Sequence, residues 1–111
     1  VGLRYKPDLV ALSADGARGR GRRFRFWGEC GTVTVRKVAW LLKPGDTERL
    51  AVFKIIGAPR AWAEEVRAAV EPRYRPEGRA ALFNFVPDIV ERTRSRRVAR
   101  VPEEWYTHVP V

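Results

Sequence analysis

The sequence predicts a single α/β domain, a small mixed β-sheet flanked by helices. Short runs rich in aromatic and branched residues alternate along it with stretches whose apolar residues recur at helical spacing. The resulting order is strand, hairpin, strand, helix, strand, helix, strand, the alternation expected where helices cover a sheet. A chain of 111 residues, 45% hydrophobic and 32% charged, is long enough for one core and too short for two.

Each element has its own local reason. Leu9 to Ser13 is a short apolar run and Phe24 to Cys30 an aromatic one, so both suit strands. Between them, Ala14 to Arg23 interleaves Gly16, Gly19 and Gly21 with Arg18, Arg20, Arg22 and Arg23, a flexible and positively charged hairpin tip. Thr32 or Thr34 is placed to cap a helix through Val35, Val38, Ala39, Leu41 and Leu42, which stops at Pro44-Gly45. Leu50 to Ile56 reads as a largely buried strand with Lys54 inside it. Pro59 fits the first turn of a second helix, where Trp62, Val66, Ala69 and Val70 recur at helical spacing and Pro72 ends the run. After the turn-rich segment Arg73 to Gly78, Ala80 to Val86 is the next strand. Further on, Ile89 to Val101 is expected as a basic helix and Trp105 to Val109 as an extended tail. The core is therefore placed at about residues 5–86, with a basic C-terminal extension over 87–111.

Composition narrows the function. One cysteine, Cys30, makes no internal disulfide, and with the single histidine, His108, it cannot assemble a structural zinc site. No apolar stretch is long enough to cross a bilayer and no leader opens the chain, so a cytoplasmic protein without a membrane partner is expected. Lys and Arg number 22 against 13 Asp and Glu, a net charge of +9. Polyanions suit such a surface, because neutralising phosphates releases condensed counterions. DNA or RNA is the expected partner. The other explanation is an arginine-rich thermophilic surface, which the lack of Gln and Met also fits.

Counting along the first hairpin produces a candidate site. If Ala14 to Arg23 is the turn, opposed residue numbers sum to about 37, and Asp8 faces Glu29. Two carboxylates at directly opposed positions repel, and Glu29 lies in an otherwise aromatic strand where an unpaired charge is costly. A hard divalent cation would offset both effects. So would Arg25, Arg36 or Lys37 as a plain ion-pair partner, and a register two residues different would remove the repulsion altogether.

Tyr5-Lys6-Pro7-Asp8-Leu9-Val10-Ala11-Leu12, the arginine-bearing hairpin, and Trp27-Gly28-Glu29-Cys30-Gly31 followed by a helix resemble the PD-(D/E)xK, or restriction-endonuclease-like, nuclease superfamily, and within it the YaeQ-like branch. The resemblance covers about Tyr5 to Ile56. It implies a restriction-endonuclease-like core and metal-dependent hydrolysis of phosphodiesters, with Mg²⁺ or Mn²⁺ as cofactor. It implies Asp8 and Glu29 as metal ligands, the Cys30 backbone carbonyl as a third, and Cys30 itself as a strand residue packed in the core. Two departures stand out. Gly31 occupies the position of the superfamily lysine, so the role passes by resemblance to Lys37 on the following helix, with Arg36 as fallback and Lys54 behind it. Only six residues precede Pro7, so the helix and strand that usually open the core are expected to be missing or rearranged, leaving a sheet edge that a second copy could cover in a homodimer. Arg18, Arg20, Arg22, Arg23 and Arg36 are the residues expected to hold nucleic acid.

Other constellations carry less. Pro87-Asp88 repeats the dipeptide without a following acid-bearing strand and reads as a turn or helix start. Ser13, Ser95 and His108 lack a nucleophile elbow. Trp40, Trp62 and Trp105 read as core, whereas Trp27 either joins them or stacks on a base beside the site. Arg92, Arg94, Arg96, Arg97 and Arg100 form either a phosphate-tracking face or a solvated helix side. A nuclease-like fold without catalysis, serving as a binding module, is the competing expectation.

Overall fold

Alternating aromatic and branched residues give the strands, and helical spacing gives the segments between them. The computed structural model describes residues 9–12, 24–43, 47–94 and 98–111. Five strands, β1 (Leu9–Leu12), β2 (Phe24–Cys30), β3 (Leu50–Lys54), β4 (Ala80–Phe85) and β5 (Tyr106–Pro110), form one sheet in sequence order. β1 runs antiparallel to β2, while β2, β3 and β4 are mutually parallel and β5 returns antiparallel to β4. The parallel pairs need crossovers. Helix α1 (Val35–Leu42) supplies the first and α2 (Pro59–Ala69) the second. The two helices pack against each other, and so lie on the same face of the sheet.

The register separates two faces. Trp27, Leu50, Val52, Ala80, Leu82 and Val109 meet Val38, Leu41 and Leu42 of α1 and Ala63 and Val66 of α2 in one apolar cluster. Side chains alternate along a strand, so the intervening residues point the other way. There Phe53, Phe83, Phe85, Tyr106 and His108 form a ladder of rings with centroid spacings of 4.9–6.1 Å. No described helix packs over these rings as α1 and α2 do over the opposite face.

Three expectations change in detail. β3 ends at Lys54, two residues early, because Asn84 takes over the backbone of Ile56: its Oδ1 accepts from the Ile56 N–H at 2.9 Å and its Nδ2 donates to the Ile56 carbonyl at 2.9 Å. The basic helix expected over Ile89 to Val101 is only α3 (Ile89–Thr93), followed by extended Arg94 and by non-helical residues 98–102. Val90, Val98 and Val101 are all exposed, so no apolar face is buried to support a longer helix. Trp105 to Val109, expected as an extended tail, instead lies from Tyr106 on in the edge strand β5, with Val109 in the core.

Candidate active site

The C-terminal end of β2 carries the acid. Trp27 and Glu29, two residues apart, share the helix-covered face, and both are only 2% exposed. The Trp27 Nε1–H donates to Glu29 Oε2 at 2.8 Å. After Cys30 the chain turns sharply at Gly31, whose φ of +80° lies in the left-handed region that favours glycine. Any residue with a Cβ would be strained there. Thr34 then caps α1, its Oγ1 accepting from the Lys37 N–H at 3.1 Å. That turn and cap bring the first turn of the helix back over β2, and Lys37 Nζ donates to Glu29 Oε1 in a part-buried ion pair.

Lys54, at the end of β3, is the second buried charge, 8% exposed. It does not join Glu29. Its Nζ donates to the Gly31 carbonyl at 3.1 Å and stands 5.1 Å from the centroid of the Trp62 ring. Among the described residues no carboxylate pairs with it. Burial lowers its pKa below the ordinary lysine value.

The predicted site residues fall into three groups. Glu29 and Lys37 are together. Asp8 lies outside the described residues, as do Arg18, Arg20, Arg22, Arg23, Arg96, Arg97, Ser13 and Ser95. The hairpin register can still be read, since Leu9 faces Gly28, Val10 faces Trp27 and Ala11 faces Phe26, each pair summing to 37 before a bulge shifts Leu12 onto Phe24. The third group is not at the pair. Arg36 is exposed on α1, Arg92 pairs with Asp88 at 3.0 Å, and Arg94 and Arg100 are exposed.

Two expectations are corrected. Cys30 is exposed and not packed in the core, because position 30 falls on the face that α1 and α2 leave uncovered. Trp27 is too deeply buried to stack on a base, and its indole serves the Glu29 carboxylate instead. That role was visible in the two-residue spacing, which places both side chains on one face. Among the described residues there is no cluster of three or more His, Cys, Asp or Glu side chains able to hold a metal ion. Nor, among these residues, is any helix long and apolar enough to cross a membrane.

Fold and site together define an open mixed α/β sheet, layered on one side by two crossover helices, with a buried Glu–Lys pair at the end of a central strand. The solved structure of the YaeQ protein from Pseudomonas syringae is similar, with a TM-score of 0.55 and 17% identity over 94% of this chain. The match takes in 59% of that protein, so this chain spans less than two thirds of its length. At this identity the likeness establishes a YaeQ-like fold alone. No protein-family model matches the sequence, and no curated protein does.

Proposed function

We propose that the chain is a metal-dependent nuclease of the PD-(D/E)xK type, hydrolysing phosphodiester bonds in DNA or RNA at Asp8, Glu29 and Lys37. The observation that carries the proposal is Glu29, an acid buried at 2% exposure beside a lysine delivered by the next helix. The register of 37 along Leu9–Ala11 supports Asp8 as its neighbour, and the YaeQ-like fold supports the superfamily.

The donor chemistry fits a hard cation. A carboxylate offers about four lone-pair sites, and Lys37 and Trp27 occupy one on each Glu29 oxygen, so each oxygen keeps acceptor capacity. Asp8, Glu29 and the Cys30 carbonyl would hold Mg²⁺ or Mn²⁺, an all-oxygen set completed by water and phosphate. When bound, the cation lowers the pKa of a coordinated water and polarises the scissile phosphate. Lys37 orients the attacking water and balances charge on the phosphoryl oxygens. Trp27 fixes the Glu29 rotamer and excludes water from behind it. Arg18, Arg20, Arg22, Arg23 and Arg36 hold the backbone of the strand, consistent with a net charge of +9.

Gly31 favours a second reading, a nuclease-like fold that binds nucleic acid or a protein without cutting. One experiment separates the two. Purified protein is incubated with plasmid, single-stranded DNA and RNA, in Mn²⁺ and in EDTA, beside Asp8→Ala. Cleavage that requires metal and disappears in the variant supports the nuclease. Salt-sensitive binding without cleavage supports the module and removes the enzyme.

A further inference from the structure

The proposed hydrolysis leaves one buried charge without a task. Lys54 is 8% exposed and lies with Leu50 and Val52 on the helix-covered face of β3. Burying an ammonium is costly unless its donors are used. Lys54 directs one of them at a single backbone atom of the neighbouring strand's exit: its Nζ donates to the Gly31 carbonyl at 3.1 Å, with the Trp62 ring of α2 lying 5.1 Å from the same nitrogen.

The turn at Gly31 is gripped from β3 on both sides of the glycine. Its N–H donates to the carbonyl of Phe53 at 3.1 Å, and its carbonyl takes the side chain of the next residue, Lys54. Within the turn the same carbonyl also accepts from the Val33 N–H at 3.0 Å. The two backbone bonds are neutral, whereas the one from Lys54 is charge-assisted and roughly twice as strong. It acts where the chain most needs holding, because a glycine at φ +80° has wide conformational freedom and both Gly31 and Thr32 are exposed.

Both halves of the candidate site hang from this turn. Glu29 and Cys30 precede it directly, and beyond it Thr34 caps the helix that brings the Lys37 ammonium back to Glu29. A displacement at Gly31 therefore moves the acid and the lysine relative to each other. We propose that Lys54 is a positioning residue for the site: its ammonium locks the turn between β2 and α1, and so fixes the Cys30 carbonyl and the approach of Lys37 to Glu29. The catalytic consequence rests on the nuclease reading above, while the locking of the turn does not.

Two measurements on the full chain test the assignment. The first needs no activity: amide hydrogen exchange is followed by NMR in the wild type and in Lys54→Met. The Gly31 and Val33 amides are expected to exchange about tenfold faster in the variant, the loss of one charged hydrogen bond. Leu82, fully buried on β4, is expected to exchange no faster. Lys54→Arg keeps a charged donor that can lie against Trp62 and is expected to restore slow exchange in the turn. The second measurement is metal-dependent strand cleavage. Lys54→Met is expected to lower kcat by about tenfold with KM for the strand unchanged, and to raise the Mn²⁺ concentration that half-saturates the rate, as for other groups that orient a metal ligand from behind. Lys54→Arg is expected to recover the rate. Urea unfolding shows that each variant is folded, and Lys54→Gln takes the place of a methionine variant that is not. Turn amides that exchange as slowly as in the wild type overturn the lock, and so does faster exchange that extends equally to Leu82. Wild-type cleavage kinetics in a variant whose turn has loosened overturn the positioning role and leave the nuclease standing. A wild type that cuts nothing removes the nuclease, and the exchange result then decides by itself whether Lys54 holds the turn.

Discussion

Two buried charges sit on adjacent parallel strands, and their surroundings differ. Glu29 of β2 has each oxygen engaged, one by the Lys37 ammonium and one by the Trp27 indole. Lys54 of β3 has a backbone carbonyl and an aromatic ring but, among the described residues, no acid. The first is a satisfied pair, so disturbing either member should destabilise the fold. The second is a cation that the fold tolerates, so removing its charge should stabilise the fold. The contrast teaches that burial alone does not show whether a charge is structural.

The largest expected effect breaks the first half of this contrast. Lys37→Met strands the charge of Glu29, 2% exposed, with the Trp27 indole still donating to it. The expected loss is about 3 kcal/mol in urea unfolding, the low end for breaking a buried pair, because Lys37 keeps 22% of its side-chain surface in water. Adding Glu29→Gln should recover most of it, since the amide oxygen still accepts from Trp27 and no buried charge is left. If Asp8 and Glu29 hold a cation, Mn²⁺ should raise the unfolding midpoint of Lys37→Met more than that of the wild type. An equal rise, or none, would argue that Glu29 is only an ion-pair partner.

Lys54→Met tests the other half and should move stability in the opposite direction. A gain of about 1.5 kcal/mol at neutral pH is expected, as for other replacements of buried charge by an apolar side chain of similar volume. The effect depends on pH with a defined sign. Burial lowers the folded-state pKa of Lys54 below its unfolded value, so on raising the pH the folded protein releases this proton first. Between the folded pKa and the ordinary lysine value of 10.5 the unfolded state binds more protons, and wild-type stability rises relative to the variant. The advantage of Lys54→Met should therefore be full at neutral pH and shrink as the pH approaches the lysine range. An advantage independent of pH would mean that Lys54 acts through packing rather than charge.

Much of this arrangement was legible in the sequence. β2 came out at its full extent because FRFWGEC has no break in its strand character. Glu29 stood out as an acid in an aromatic strand, and Lys37 as a cation one helical turn past a cap, so the pairing needed only the direction of the turn at Gly31. What the sequence could not decide was whether metal or lysine neutralises Glu29, because either meets the same electrostatic demand. Cys30 was misplaced for a tertiary reason: its face of the sheet became the open one only when both crossovers fell on the other side. The end of β3 depended on Asn84, 28 residues beyond the backbone it clamps, a contact with no local signature. The long basic helix failed because arginines at helical spacing supply propensity without an apolar face to bury.

The smallest expected effect reaches the site through the backbone. Thr34 Oγ1 accepts from the Lys37 N–H at 3.1 Å, so one hydroxyl caps α1 at the very residue whose ammonium holds Glu29. Thr34→Ala should cost about 1 kcal/mol by leaving that amide unsatisfied, whereas Thr34→Ser should cost little because its hydroxyl can take over the bond. If Lys37 also orients the attacking water, the alanine variant should lower the rate of strand cleavage with oligonucleotide affinity unchanged, and serine should restore the rate. Equal affinity and equal rate in both variants, beside a loss of stability in alanine alone, would confine Thr34 to capping and leave the position of Lys37 set by its own ion pair.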